Sequence, residues 1–358
     1  MRSRLLYKSI IFLIIFFLMV FDVACAETIS FKLIKIISLP TVDKSGDAVS
    51  YDPYDHAVYV SMGKTDAGAV VIDAKNNQAI KIIHDGLMRP YGMSFNKRYV
   101  YWTVNYLEDK NNSVKDVIQS NESRIFVVDK TNWKVVNVFK TIGSGADGIW
   151  VDQKLDRLYI AMDDNNWIDE YTLGRHPIFR GKISLYPETG SGPDLGVLLA
   201  SSHVLYMPDD TWEEKINLLT NKIEQKTNLA PYFVQSTLGK KPATKGQIYD
   251  SENQTLWVGT TGSRIFIFNA RNLKILASLP ARAGIDQVAY DPKFHLVYAF
   301  ESKAKGFDVY DARTMKALSF VSTGYAKTHT GAVDPSNHRI FVYVGAAHAV
   351  YVYQPIFH

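Results

Sequence analysis

After residue 30, apolar and polar positions either alternate with a period of two or form short apolar runs, and stretches with helical periodicity are nearly absent. Period two marks a half-buried strand, and a short apolar run bounded by turn residues reads as a strand covered on both faces. The predicted strands follow a fixed grammar. A short strand ends at an Asp turn, and a strand rich in Tyr, Val and Ile follows, as in "YDPYDHAVYV" (51–60), "YDPKFHLVYA" (290–299) and "VDPSNHRIFV" (333–342). Looser copies stand at "VDQKLDRLYI" (151–160) and "YDSENQTLWV" (249–258). A third strand then closes on Asp or Asn ("AVVIDAKNN", "IFVVDKTNW", "IFIFNARNL", "FDVYDARTM"), and a fourth completes the unit ("AIKIIH", "KVVNVFK", "KILASL", "KALSFV").

The turn markers Asp52, Asn96, Asp152, Asp250, Asp291 and Asp334 are spaced by 44, 56, 98, 41 and 43 residues. The 98-residue gap holds one further unit at "GVLLASSHVLYM" (196–207). Seven units of about 47 residues, each with four strands, predict an all-β, seven-bladed β-propeller. The last unit has three strands of its own, and "FKLIKIISLP" (31–40) matches the fourth-strand pattern. The N-terminal strand is therefore expected to pair into the last blade, closing the ring and removing two exposed sheet edges.

The start of the chain reads differently. Arg2, Arg4 and Lys8 precede an unbroken apolar run, Ile10 to Phe21, and Ala24-Cys25-Ala26 follows. A basic start, a run too short to span a bilayer comfortably and an A-x-A-like site predict a signal peptide over 1–26 and a single propeller domain over 27–358. The expected destination is periplasmic or secreted. Acylation at Cys25 is the alternative, and Asp22 stands where a lipoprotein signal carries an aliphatic residue.

Cys25 is the only cysteine, so the mature chain is expected to lack disulfides, a thiol nucleophile and Cys-ligated metal. Its 40 Lys and Arg against 36 Asp and Glu make the whole chain only +4, and the signal removes three bases and one acid. No dense basic stripe occurs, which argues against nucleic acid as the main ligand. No P-loop, G-x-S-x-G, H-E-x-x-H or zinc spacing is present.

The repeat also reduces the candidate list. His56, His295 and His338 stand four residues after their turn Asp, and His203 sits in the matching turn of unit four. Residues placed by the repeat splay around the rim and cannot converge on one metal, so these histidines are expected to be structural. A different offset is more telling. Five residues before each marker stand Asp47, Tyr91, Asp147, Lys245, Asp286 and His329, with Asp194 as the counterpart in unit four. The first residues of innermost strands rim the channel, so these side chains are expected to meet at its mouth. Clustered carboxylates favour a cation, with Ca²⁺ or Mg²⁺ as the expected cofactor and Asp47, Asp147, Asp194 and Asp286 as its ligands. The alternative is that Lys245 and His329 pair with the acids around a water-filled tunnel. Two long loops are expected on the same face, over 105–123 and 163–180. "MDDNNW" (162–167) is echoed by "MPDDTW" (207–212), which adds Asp163, Asp164, Trp167, Asp209, Asp210 and Trp212 to the ligand candidates beside Tyr91 and Lys245.

The units resemble those of the YVTN-repeat β-propellers of exported bacterial proteins. Asp52, Pro53, Val58, Tyr59, Val60, Val71, Ile72 and Asp73 carry the likeness, although the tetrapeptide itself is altered to Tyr59-Val60-Ser61-Met62. The resemblance implies a seven-bladed propeller. It admits binding proteins, lactonase-like and lyase-like enzymes, and non-catalytic subunits of amine dehydrogenases, because a fold does not select a chemistry. The leading expectation is an envelope propeller binding a small molecule, a cation or a protein partner at the channel mouth, between blades two, three and four. The first alternative is a divalent-cation-dependent hydrolase or lyase acting on a lactone or cyclic ester, with His329 as general acid or base. The second is a non-catalytic subunit of a periplasmic redox complex.

Overall fold

The structure, a computed structural model, describes residues 29–40, 46–62, 68–84, 90–104, 123–187, 192–233, 242–282, 284–301 and 303–358. The predicted signal peptide and most of the predicted loop over 105–123 lie outside the described residues. Seven four-stranded antiparallel sheets are arranged as a propeller. Blade one spans 49–83, blade two 90–140, blade three 146–184, blade four 197–228, blade five 244–280 and blade six 285–322. Blade seven takes three strands from 331–357 and its outermost strand from β1 (Ile29–Ser38). β1 runs antiparallel to β28 (Ala349–Phe357), from Ile29 opposite Phe357 to Ser38 opposite Ala349. Among the described residues the helical elements are single 3-10 turns, and no helix is long and apolar enough to cross a membrane.

The core is divided among the gaps between blades. Among the described residues seven apolar clusters are present, each built from the facing sides of two neighbouring blades. The gap between blades seven and one, for example, holds Phe341, Val350 and Val352 against Val49, Val58 and Val70. The middle strands are therefore covered on both faces, which is why they read as apolar runs. Innermost and outermost strands keep a wet face, and they alternate.

The Asp turns explain the repeated histidines. His56, His203, His295 and His338 all have a left-handed backbone, with φ between 50° and 64°. Asp156 and Gln254 occupy the same slot with the same backbone. The turn Asp accepts the N–H two residues on, as Asp52 does from Tyr54 (2.9 Å) and Asp334 from Ser336 (2.9 Å). Such an Asx turn fixes the reversal that the left-handed residue completes. The His56 ring stays within its blade, 2.8 Å from the Tyr51 hydroxyl, and the other three imidazoles reach sideways. His338 Nδ1 lies 2.9 Å from Asp291 of blade six, His295 lies 3.2 Å from Glu252 of blade five and His203 lies 3.5 Å from Asp152 of blade three. Because each innermost strand runs from the mouth to this turn, these contacts sit on the face opposite the mouth. Replacing His56, His295 and His338 together with Asn, which tolerates the left-handed conformation, is expected to leave ligand and metal binding intact. The stability cost should be about 1 kcal/mol or less per site, from the lost hydrogen bonds. Binding lost from a fully folded triple variant, read by titration calorimetry beside circular dichroism, would contradict this.

Candidate functional site

Four of the seven mouth positions derive from one local device. In blades two, three, five and six the innermost strands are β6 (Pro90–Phe95), β10 (Ala146–Asp152), β18 (Thr244–Asp250) and β22 (Ile285–Asp291). Tyr91, Asp147, Lys245 and Asp286 are the second residues of these strands. In all four the pairing register breaks between the first and fourth residue. A bulge there releases the side chain from the sheet's alternation and turns it towards the axis. Asp47, Asp194 and His329 stand just before the innermost strands of blades one, four and seven.

Glycine lets the blades close up around the axis. A Cβ on Gly92 would strike the Asp147 carbonyl oxygen, one on Gly148 the Asp194 carbonyl and one on Gly246 the Asp286 carbonyl. Asp147, Asp194 and Asp286 therefore have their backbones pressed against the preceding blade. Thr103 Oγ1 donates to the Asp147 carbonyl (2.6 Å) and accepts the Gly92 N–H (2.7 Å). A cavity of about 200 Å³ lies among the innermost strands, and its lining includes Ser50, Ser94, Gln247 and Gln287.

Two groupings emerge at the mouth. In the first, Lys245 Nζ donates to Asp194 Oδ2 at 2.5 Å. The Asp194 charge raises the Lys245 pKa above that of an ordinary lysine. Asp194 is itself raised by burial, which Lys245 partly offsets. Beside them, burial and then the Asp194 and Asp47 charges hold the Asp147 carboxyl well above the usual carboxylate range. In the second grouping, Asp47, Asp286 and His329 offer donor atoms that all lie within 4.8 Å of one another. His329 Nε2 is 3.9 Å from Asp286 Oδ2.

The backbones behind the second grouping are tied across three blades. The Gln287 N–H donates to the His329 carbonyl (3.1 Å), and the Val49 N–H donates to Thr330 Oγ1 (3.0 Å). The Asp47 N–H donates to Ser61 Oγ (2.7 Å), and the Gln287 side chain reaches Thr330 and the Val49 carbonyl. The second grouping thus comes from blades six, seven and one, away from the site expected between blades two, three and four, whereas the closest pair, Lys245 with Asp194, joins blades five and four. Gln287, Thr330 and Ser61 were missed by sequence reasoning. Gln287 and Thr330 directly follow the mouth positions Asp286 and His329, which was their signal, and Ser61 is the polar end of an otherwise apolar strand.

The other candidates are placed unevenly. Residues 163–180 are not a long loop. Asp163–Asn165 is one 3-10 turn, Trp167–Thr172 is the third strand of blade three and Phe179 begins the fourth. The stretch looks polar because two of its strand residues are acids with local partners. Asp169 accepts the Ile142 N–H (3.0 Å) and the Trp167 indole N–H (2.9 Å), and Glu170 takes the Arg157 guanidinium (2.8 Å). Asp163 faces the mouth closely enough to feel the Asp194 and Lys245 charges, with its carboxylate against Gly192; both it and Asp164, which lies against Gly145, are exposed residues of the turn. The Trp167 ring is covered by Lys182, 4.1 Å from its centroid, so it packs within its own blade. The echo at 207–212 is the equivalent hairpin with a tighter turn at Asp210 (φ 50°). Trp212 packs edge-on to Tyr186 at 4.8 Å. Asp209 is wholly buried, and burial pushes its carboxyl up to about 7. Neither Asp209 nor Trp212 belongs to the two groupings at the mouth.

No family model matches the chain, and no curated protein matches it. Among solved structures, a chain from a crystal structure of the mitotic checkpoint complex superposes with a TM-score of 0.70, covering 90% of this chain and 91% of that one at 8% identity. At that identity the likeness shows the fold alone: the chain is a seven-bladed β-propeller.

Proposed function

We propose that this chain is a binding propeller of the cell envelope that takes a small polar ligand at the channel mouth. The carrying observation is the Lys245–Asp194 pair at 2.5 Å with the Asp147 carboxyl beside it, pushed towards its protonated form. A charged donor, a charged acceptor and a carboxyl that takes up a proton readily in one partly enclosed cup can read a ligand's hydroxyl, carboxylate and amine groups. Enclosed sites with a few convergent polar groups and perturbed carboxyls are where binding is expected in propellers and elsewhere. Membership of the YVTN-repeat group and export behind residues 1–26 belong to the same reading. Mass spectrometry of the exported protein should find Glu27 as its first residue.

The test is a thermal-shift screen of polar small molecules, covering carboxylic acids, amines, polyols and lactones, run in EDTA. At least one class should raise the melting temperature of the wild type and leave Asp194→Asn/Lys245→Gln unmoved. The double change removes both charges together and so leaves no buried ion alone. If no class shifts the wild type, or if every hit shifts the variant equally, the mouth is a solvated tunnel lining.

A further inference from the structure

We infer that Asp47, Asp286 and His329 form a binding site for a divalent transition ion, with Zn²⁺ as its best-fitting occupant. The site lies within the proposed mouth and so rests on that reading. It changes the expected chemistry in two ways. Asp194 and Asp147 drop out of the ligand set, Asp194 because Lys245 already engages it. His329, expected as an acid or base, becomes a ligand.

The donor set selects the metal. Two carboxylates and one imidazole suit borderline ions, whereas Ca²⁺ takes six to eight oxygens and Mg²⁺ keeps an all-oxygen octahedron. Three protein donors with a remaining position open to water or a ligand oxygen is the arrangement of a catalytic rather than a structural zinc site. The geometry is close to closing. Bonds of roughly 2.0 Å set tetrahedral ligand atoms roughly 3.3 Å apart. Here His329 Nε2 and Asp286 Oδ2 are 3.9 Å apart, and all three donors fall within 4.8 Å. The contraction needed is roughly 0.6 Å for the His329–Asp286 pair and at most roughly 1.5 Å for the set. Side-chain rotation can supply it, because the Asp286 carboxylate is 39% exposed while the His329 ring is only 12% exposed. His329 is also braced edge-on by Tyr343, whose ring centroid lies 6.2 Å away.

The frame is fixed before the metal arrives. The Gln287 N–H on the His329 carbonyl and the Val49 N–H on the Thr330 hydroxyl join blades six, seven and one immediately behind the donors. These blades flank the seam that β1 closes. A metal held here spans that seam, and its binding should therefore also stabilise the ring.

The full exported chain, stripped with EDTA, is titrated with ZnCl₂ by calorimetry and with CoCl₂ by visible absorption. The second readout reports coordination number and requires no activity. One Zn²⁺ per chain is expected, with Co²⁺ giving the intense visible bands of a four- or five-coordinate ion. His329→Gln and Asp286→Asn should each weaken Zn²⁺ at least 100-fold, and His338→Asn, a histidine on the opposite face, should change nothing. Ca²⁺ should bind at least 100-fold more weakly than Zn²⁺. Circular dichroism checks that each variant is folded, and Asp47→Asn replaces either one that is not. The inference is overturned by the absence of one-to-one binding, by triad variants that bind like wild type, or by Ca²⁺ equalling Zn²⁺. If Zn²⁺ fails while polar ligands in EDTA still shift the wild type, the metal site alone falls. If both fail, the mouth reading falls with it.

Discussion

Deleting residues 27–40 should leave a protein that aggregates or is largely unfolded at 25 °C. Without β1, the full length of β28 becomes a free edge, and such an edge recruits other chains. The lost packing is large. Ile37 and Leu39 are buried in the gap between blades seven and one. Phe31 lies edge-on to Tyr298 and Phe307, each at 6.1 Å, in the gap between blades six and seven. Burying a large apolar side chain contributes roughly 1.5–3 kcal/mol, so three of them approach the whole stability of an ordinary domain, about 5–15 kcal/mol. Leu39 also donates its N–H to the His348 carbonyl (2.8 Å), continuing the ladder past the strand end. The deletion should abolish the Zn²⁺ binding proposed above as well, because Asp47 and His329 lie on the two sides of the seam. A synthetic peptide of residues 29–38 supplied in trans should recover part of the fold by strand addition. A truncated chain that melts within a few degrees of the intact one would refute the closure model.

Much of this architecture is legible in the amino-acid order because the propeller repeats its physics. Each gap between blades needs the same apolar facing strands, and each hairpin needs the same Asx turn, so the words recur. The N-terminal strand is identifiable from the missing fourth strand of the last unit, although it runs over 29–38 rather than 31–40. The mouth offset is legible for a related reason: equivalent positions in a ring share one radius. Which mouth residues pair is not legible, because that depends on side-chain reach and on bulges that leave no fixed sequence mark. Asp194 and Lys245 come from neighbouring blades, and their pairing leaves Asp286 to His329. The misread stretch at 163–180 has another cause. Asp169 and Glu170 sit in a covered strand, and an acid with partners inside a strand looks like a loop residue when only polarity is read. The wholly buried Glu213 and Glu214 in the third strand of blade four were passed over on the same ground. Burial pushes Glu214 up to about 8, and a neutral carboxyl tolerates a covered strand far better than its polarity suggests.

Replacing Lys130 with Met should destabilise the protein by about 3–5 kcal/mol, the usual cost of stranding one partner of a buried ion pair. Lys130 belongs to blade two and reaches into blade one. Its Nζ lies 2.7 Å from Asp52 Oδ2 and 3.2 Å from Asp55 Oδ2, with only 3% of the lysine side chain and none of the Asp52 side chain exposed. Met fills much the same volume, so the loss would come from the charge left on Asp52 rather than from a cavity. That cause makes two further outcomes necessary. First, Asp52→Asn/Lys130→Met should be more stable than Lys130→Met alone. Asn keeps the side-chain oxygen that accepts the Tyr54 N–H at 2.9 Å, so the turn survives without the charge. Second, the cost should shrink on acidification. Burial raises the Asp52 carboxyl above its ordinary value even with Lys130 opposing it, and removing Lys130 raises it further. The folded variant then holds a proton that the unfolded chain releases near pH 4. Its stability is highest below that pH and falls, by at most about 1.4 kcal/mol per pH unit, as pH rises through the window up to the folded-state value. Urea denaturation of wild type, single variant and double variant from pH 4 to pH 8 tests both. A double variant no more stable than Lys130→Met, together with a single-variant deficit that ignores pH, would show that Lys130 acts by packing its stem over Tyr54, whose ring centroid is 5.1 Å from Nζ, rather than by neutralising Asp52.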